Sequence, residues 1–197
     1  MELIDSEKHI PWVVYEAREW LDGYLQKNMT VFEWGSGGST FYFSKKVKSV
    51  ASVEHSPEWY ERVRISMRHE RVENCDYFLI PPQKSIIARF LPYRSYTYVS
   101  KTFKEHENLF FQNYACKIDE YPNETFDLVV VDGRARAACM GRAIKKIKKG
   151  GVLLLDNSER SLYFPAMCKL NRFVRQDFFG NGPYLEEKWQ TTIWQIK

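Results

Sequence analysis

The chain has 197 residues, a net charge of +4, and 44% hydrophobic and 16% aromatic content, enough apolar side chain to bury one sizeable core and too much for a disordered polymer. No apolar stretch approaches the ~18 residues of a membrane span. The opening M-E-L-I-D-S-E-K lacks the cationic-then-apolar order of a signal peptide, and Cys75, Cys116, Cys139 and Cys168 form no C-x-x-C pair, so we expect one cytoplasmic domain over 1–197 with no zinc knuckle or disulfide framework, its cysteines acting as small core hydrophobes.

In chain order, Pro11 opens a stretch to residue 27 in which Val13, Ala17, Trp20, Leu21 and Tyr24 fall at helical spacing. A strand over Met29 to Trp34 follows, then a glycine turn and a helix to Lys46. Residues 49–53 form a second strand ending at Glu54, and Pro57 starts a helix with Trp59, Val63 and Met67 on one face. D-Y-F-L-I at 76–80 is strand three, stopped by Pro81 and Pro82. D-L-V-V-V at 127–131 is strand four, continuously apolar as in a sheet buried on both faces. Met140, Ile144 and Ile147 predict a helix before Gly150-Gly151 and strand five at 152–155. The K-K-I-K-K cluster at 145–149 then reads as a solvated helix end rather than a nucleic-acid patch.

Alternating strands and helices imply a doubly wound α/β fold, from which two segments depart. Residues 81–126, 46 in all, are far longer than a crossover needs and carry Tyr93, Tyr96, Tyr98, Phe103, Phe110 and Phe111; such insertions are commonly lids. The C-terminal R-F-V-R-Q-D-F-F-G-N-G-P-Y and W-Q-T-T-I-W-Q-I read as an antiparallel hairpin at the sheet edge.

V-F-E-W-G-S-G-G-S-T at 31–40 carries the chemistry. Glycines let backbone approach a ligand, and Ser39 and Thr40 can open a helix whose first amides favour an anion or acceptor-rich group. A nucleotide-like ligand fits, as does a plain tight turn. Gly35 and Gly37 match the start of G-x-G-x-x-G, but Thr40 occupies the third glycine position, which argues against a nicotinamide dinucleotide.

An apolar strand, an acid two residues before the first glycine, and this turn resemble the first motif of the class I S-adenosylmethionine-dependent methyltransferases, with Ser39 in place of the last glycine. The resemblance covers about residues 29–197. It implies a Rossmann-like, seven-stranded, mostly parallel sheet whose C-terminal hairpin supplies strands six and seven. It also implies S-adenosylmethionine bound by Glu33, Trp34, Gly35, Ser36, Gly37, Ser39, Thr40, Glu54, His55 and Asp132. Glu33 would take the methionine ammonium through a charge-assisted bond. Glu54, 19 residues past Gly35, would take the ribose hydroxyls and His55 would pack on adenine.

Asp132, ending F-D-L-V-V-V-D, and Asp156-Asn157, ending G-G-V-L-L-L-D-N, resemble the magnesium ligands of the catechol O-methyltransferase branch, which would make Asp132 and Asp156 catalytic through a metal-activated hydroxyl. The alternative is that Asp132 orients cofactor or substrate while Asp156 and Asn157 cap a loop. Ala135 stands where that branch has its lysine base, flanked by Arg134 and Arg136, which suit an anionic substrate or a structural ion pair. The expected activity is methylation of a hydroxyl on a small-molecule or saccharide-like acceptor, with neither nucleic acid nor a membrane as partner. D-G-R-A-R after strand four lacks the Asn/Asp-Pro-Pro-aromatic motif of base methyltransferases. A nucleic-acid methyltransferase and a non-catalytic nucleotide-binding module remain the alternatives.

Overall fold

The structure is a computed structural model that describes residues 3–102 and 104–197; Phe103, named above among the insertion's aromatics, lies outside them. Seven strands form the main sheet: β1 (Thr30–Trp34), β2 (Ser49–Glu54), β3 (Cys75–Leu79), β4 (Phe126–Val131), β5 (Ile147–Asp156), β6 (Val174–Gly182) and β7 (Leu185–Gln195). Their order is β3-β2-β1-β4-β5-β7-β6, with the first five parallel and the β6–β7 hairpin antiparallel, β7 against β5. The expected doubly wound sheet and C-terminal hairpin are therefore present.

The continuous apolar runs arise because both faces are covered. On one face Phe32, Trp34, Val129, Val131, Leu153 and Leu155 pack against α4 (Gln112–Cys116), α5 (Arg136–Ala143) and α6 (Phe164–Met167). On the other, Val31, Val50, Leu128, Val130, Val152 and Leu154 meet α1 (Tyr15–Tyr24) and α2 (Gly38–Lys46). Phe41 of α2 joins Val63 and Met67 of α3 (Pro57–His69), which starts at its proline with Ser56 Oγ accepting from the Trp59 amide.

Several expectations are corrected. The first helix starts at Tyr15, not Pro11, because Val13 and Val14 are buried in non-helical chain ahead of it and the Val14 amide donates to Thr191 Oγ1 on β7 (3.3 Å). α5 ends at Ala143, and Ile147 opens β5 opposite Phe126 of β4. The basic cluster is consequently turn and strand rather than helix end: Lys146 is buried with Nζ donating to the Tyr121 carbonyl (2.6 Å), and Lys148 pairs with Asp127 (2.8 Å). Of the four cysteines only Cys139 is buried, and Cys168 is exposed.

The long segment is two structures. Its first part is tied by a two-stranded ribbon, Gln83–Lys84 against Leu109–Phe110. Phe111, Tyr114 and Ile118 are fully buried in the core, so residues 111–118 are scaffold and not lid.

Lys146→Ala should lower unfolding free energy by roughly 1–3 kcal/mol, because it strips a buried carbonyl of its donor. Exposed Lys145→Ala should change it by less than about 0.5 kcal/mol. Urea denaturation of the two variants checks the contrast, which a shared helix-end role would erase.

Candidate functional site

Strand order reverses between β1 and β4, the switch point at which an open α/β sheet leaves a crevice beyond its carboxyl ends. A cleft of about 690 Å³ lies there, bordered by Gly35–Ser39, Glu54, His55, Asp132 and Gly133. The two turns approach so closely that a Cβ on Gly35 (φ +94°) would lie 2.8 Å from the Gly133 nitrogen, so only glycine suits the position. A side chain on Gly38 would run into the carbonyls of Lys8 and Ile10. The N-terminal segment thus lies across the glycine turn and brings Trp12 to the rim, where its ring sits 5.3 Å from that of Tyr184.

Glu33 is fully buried beneath the turn and lines no part of the cleft. Its carboxylate accepts from Ser39 Oγ (2.8 Å) and Thr40 Oγ1, and Thr40 Oγ1 in turn accepts from the Gly37 amide (3.2 Å). Burial pushes Glu33 up to about 7, against the opposing pull of the Thr40, Ser52 and Ser39 hydroxyls. Trp34 is buried behind the site, its Nε1 donating to the Tyr114 carbonyl (2.9 Å). Thr40 is buried too, which leaves Gly35, Ser36, Gly37 and Ser39 on the cleft wall.

Glu54 ends β2 with both oxygens facing donors. Oε1 accepts from the amides of His55 (2.7 Å) and Ser56 (2.8 Å), and Oε2 accepts from Ser36 Oγ (3.0 Å). Burial alone would raise its pKa. The His55 ring, with Nδ1 2.7 Å from Oε1, and the two amides outweigh that and hold the carboxylate below its usual range. Ser36 Oγ also lies 2.6 Å from Tyr77 Oη. The serine hydroxyl therefore occupies a carboxylate position that a ligand hydroxyl can take, with Tyr77 as its alternative partner. His55 faces the cleft beside His106, ring centroids 5.7 Å apart; burial, Arg134 and His55 push His106 down to about 4, so it is neutral near pH 7.

The strand-end acids do not assemble a magnesium site. Asp156 is buried with Oδ1 accepting from Trp189 Nε1 (3.0 Å) and Thr191 Oγ1 (2.6 Å), so it fixes β5 to β7 and lies off the cleft. Asp132 does line the cleft but pairs with Arg136 (2.9 Å). The Arg136 guanidinium also donates to the carbonyls of Asp132 (2.6 Å), Gly133 (3.0 Å) and Asp156 (2.5 Å), placing a fixed positive charge between the ends of β4 and β5. A divalent cation there would meet that charge and only one accessible carboxylate. Asn157 sits in a turn at φ +50°, and no group of three metal-ligating His, Cys, Asp or Glu side chains occurs among the described residues. Sequence reasoning offered Arg136 as an ion-pair candidate, but missed Trp59, Glu105, His106 and Tyr184 on the cleft. Of these only Trp59 carried a local signal, its place in the first turn after Pro57; its Nε1 donates to the Ser36 carbonyl (2.8 Å).

Glu33 sets a pH dependence. Its native pKa of about 7 lies above its ordinary 4.5, so the folded state binds the proton more tightly and stability falls as pH rises through that window. Glu33→Gln should remove this decline, on the order of 3 kcal/mol between pH 4.5 and 7. Denaturant midpoints measured across that range check it; an unchanged slope would contradict the buried-acid assignment.

No family model and no curated protein matches the sequence. Solved structures do resemble the fold. An rRNA methylase from Streptococcus thermophilus is 10% identical with a TM-score of 0.61, covering 93% of this chain and 96% of that one. An O-methyltransferase from Bacillus cereus in complex with SAH is 13% identical with a TM-score of 0.60, covering 86% and 74%. A spermidine synthase from Thermotoga maritima is 12% identical with a TM-score of 0.56, covering 88% and 55%. Identities this low speak for architecture alone, and the architecture shared with these structures is the seven-stranded, mostly parallel α/β sheet with an antiparallel C-terminal hairpin.

Proposed function

We propose that the chain is an enzyme that transfers a methyl group from S-adenosylmethionine to a hydroxyl of a small, saccharide-like acceptor. The observation that carries cofactor binding is Glu54, a carboxylate kept ionised at the end of β2 with a replaceable serine hydroxyl on Oε2. Ribose hydroxyls would take that position as charge-assisted donors. Gly35 and Gly37 give the backbone room to meet the methionine end, with Glu33 bracing the turn from below, and His55 and His106 border the ribose and adenine side.

When bound, the cofactor supplies an electrophilic methyl carbon on a sulfonium sulfur. The protein's part is alignment. Asp132, the accessible carboxylate beside the β1–β4 switch point, is the group we assign to orient the acceptor hydroxyl and receive its proton as the new C–O bond forms and the C–S electron pair returns to sulfur. Arg136 holds Asp132 in that orientation through the 2.9 Å pair. Because the arginine takes the place a metal would need, no step is assigned to magnesium.

The acceptor side rests on Trp12 and Tyr184. Both are half-exposed at the rim, and they present flat apolar faces beside polar groups, the combination that suits a ring carrying hydroxyls. The D-G-R-A-R sequence after β4 carries no proline-flanked amine grip, which favours a small acceptor over a nucleobase.

Glu54→Ala should leave the fold intact and weaken S-adenosylhomocysteine binding by roughly 1.5–3 kcal/mol. Isothermal calorimetry with NADH as a control is the test, and unchanged affinity would remove the ribose assignment. Trp12→Ala should leave that affinity alone yet raise the acceptor KM by roughly three- to tenfold in a radiolabelled-methyl assay; an unaltered KM would place the acceptor elsewhere.

A further inference from the structure

The first part of the long insertion carries a surface that methyl transfer does not use. Ile86, Ile87 and Phe90 lie on one 3-10 turn, Ile86–Phe90, and are 78%, 67% and 76% exposed. Tyr96 stands equally free. The turn is held in place: Ala88 is buried beneath it, its amide donates to the Ser85 carbonyl (3.1 Å), and Lys101 Nζ donates to the Arg89 carbonyl (2.7 Å). Scattered single apolar residues on a surface need no explanation, but three large ones fixed outward on five residues do.

The segment that carries them has charge of one sign. Between residues 81 and 104 the chain places Lys84, Arg89, Arg94, Lys101 and Lys104 and no acid. The Arg89 guanidinium stacks 5.4 Å from the Phe90 ring, and Lys169 reaches Ser95 Oγ (2.6 Å) from outside the segment. The first acids after it are Glu105, which lines the cleft, and Glu107 beside the ribbon.

We propose that this face docks on an anionic phospholipid bilayer, with Ile86, Ile87 and Phe90 entering the headgroup–acyl boundary and the surrounding lysines and arginines meeting headgroup phosphates. Apolar anchors ringed by cations are what interfacial binding requires, since one kind of contact alone gives weak and reversible association. Single-stranded nucleic acid fits less well, because two of the three anchors are isoleucines with no ring face on which a base can stack. A second copy of this chain would oppose one cationic face to another. No helix among the described residues is long and apolar enough to cross a membrane, so the contact is peripheral. The expectation of no membrane partner rested only on the lack of spanning segments.

Co-sedimentation of the full chain with vesicles of phosphatidylcholine alone, and of phosphatidylcholine with phosphatidylglycerol, tests the proposal. Binding is expected to the anionic vesicles and not the neutral ones. It should weaken about fivefold for each of Lys84, Arg89 and Arg94 changed to Gln. Ile86→Ser, Ile87→Ser and Phe90→Ser together should abolish it while circular dichroism and Tm stay as in wild type, since these side chains are two-thirds or more exposed. Failure to bind anionic vesicles, or full binding by the triple serine variant, would overturn the proposal. So would loss in that variant of single-stranded RNA binding or of a dimer seen by light scattering, either of which would assign the face to another occupant.

Discussion

A carboxylate with no exposure holds the site together. Glu33 points to the α2 side of β1 and meets the first turn of that helix, where Ser39 and Thr40 donate to it and Thr40 also holds the Gly37 amide. Burying such a group is costly unless every lone pair is answered. Two hydroxyls and the favourable end of a helix dipole answer it here. The consequence is geometric: with its underside pinned, the Gly35–Gly38 backbone arches toward the cleft in one conformation. A cationic ligand end near the turn would favour the ionised form of an acid poised at about 7, so ligand binding and the charge of Glu33 are linked.

The other wall is fixed by Arg136. Its guanidinium gathers one carboxylate and three carbonyls from the ends of β4 and β5, satisfying its donors in the planar fork that lysine lacks. The close approach of Gly35 to Gly133 then locks this unit to the glycine turn. Asp156, released from any role in the cleft, becomes a β5–β7 fastener. The result is a floor made largely of backbone in which Asp132 is the strand-end acid that faces the cleft, a construction that favours positioning over metal-centred chemistry.

The sheet was legible in the sequence because a strand covered on both faces must be apolar throughout, as L-V-V-V and V-L-L-L are. The glycine turn was legible because a bend that brings its backbone against Gly133 needs glycine, and Glu54 because it ends the short apolar strand β2. Periodicity alone found α1 with Ala17 and Leu21 buried but misplaced element ends. Ile147 falls seven residues after Met140, yet it pairs with Phe126, since apolar spacing cannot tell the last turn of a helix from the first residue of a buried strand. Val13 sits at helical spacing but is inserted in the core ahead of the helix. Glu33 matched its motif in type, while its burial depended on Thr40, seven residues away, folding over it. Trp12, Tyr184 and His106 come from three distant segments, and only the fold brings them to one cleft. The insertion's aromatics read as a lid; Phe111 and Tyr114 proved to be core because the sheet face needed cover there.

The central claim is that Glu54, with Ser36 holding the place of a ligand hydroxyl, receives the ribose of S-adenosylmethionine. A crystal structure with S-adenosylhomocysteine tests it most directly. The account predicts both ribose hydroxyls within hydrogen-bond distance of the Glu54 carboxylate, Ser36 Oγ turned to Tyr77 alone, and the amino-acid end against Gly35. A ligand bound with its ribose away from Glu54, or with the Ser36–Glu54 bond unbroken, would contradict it.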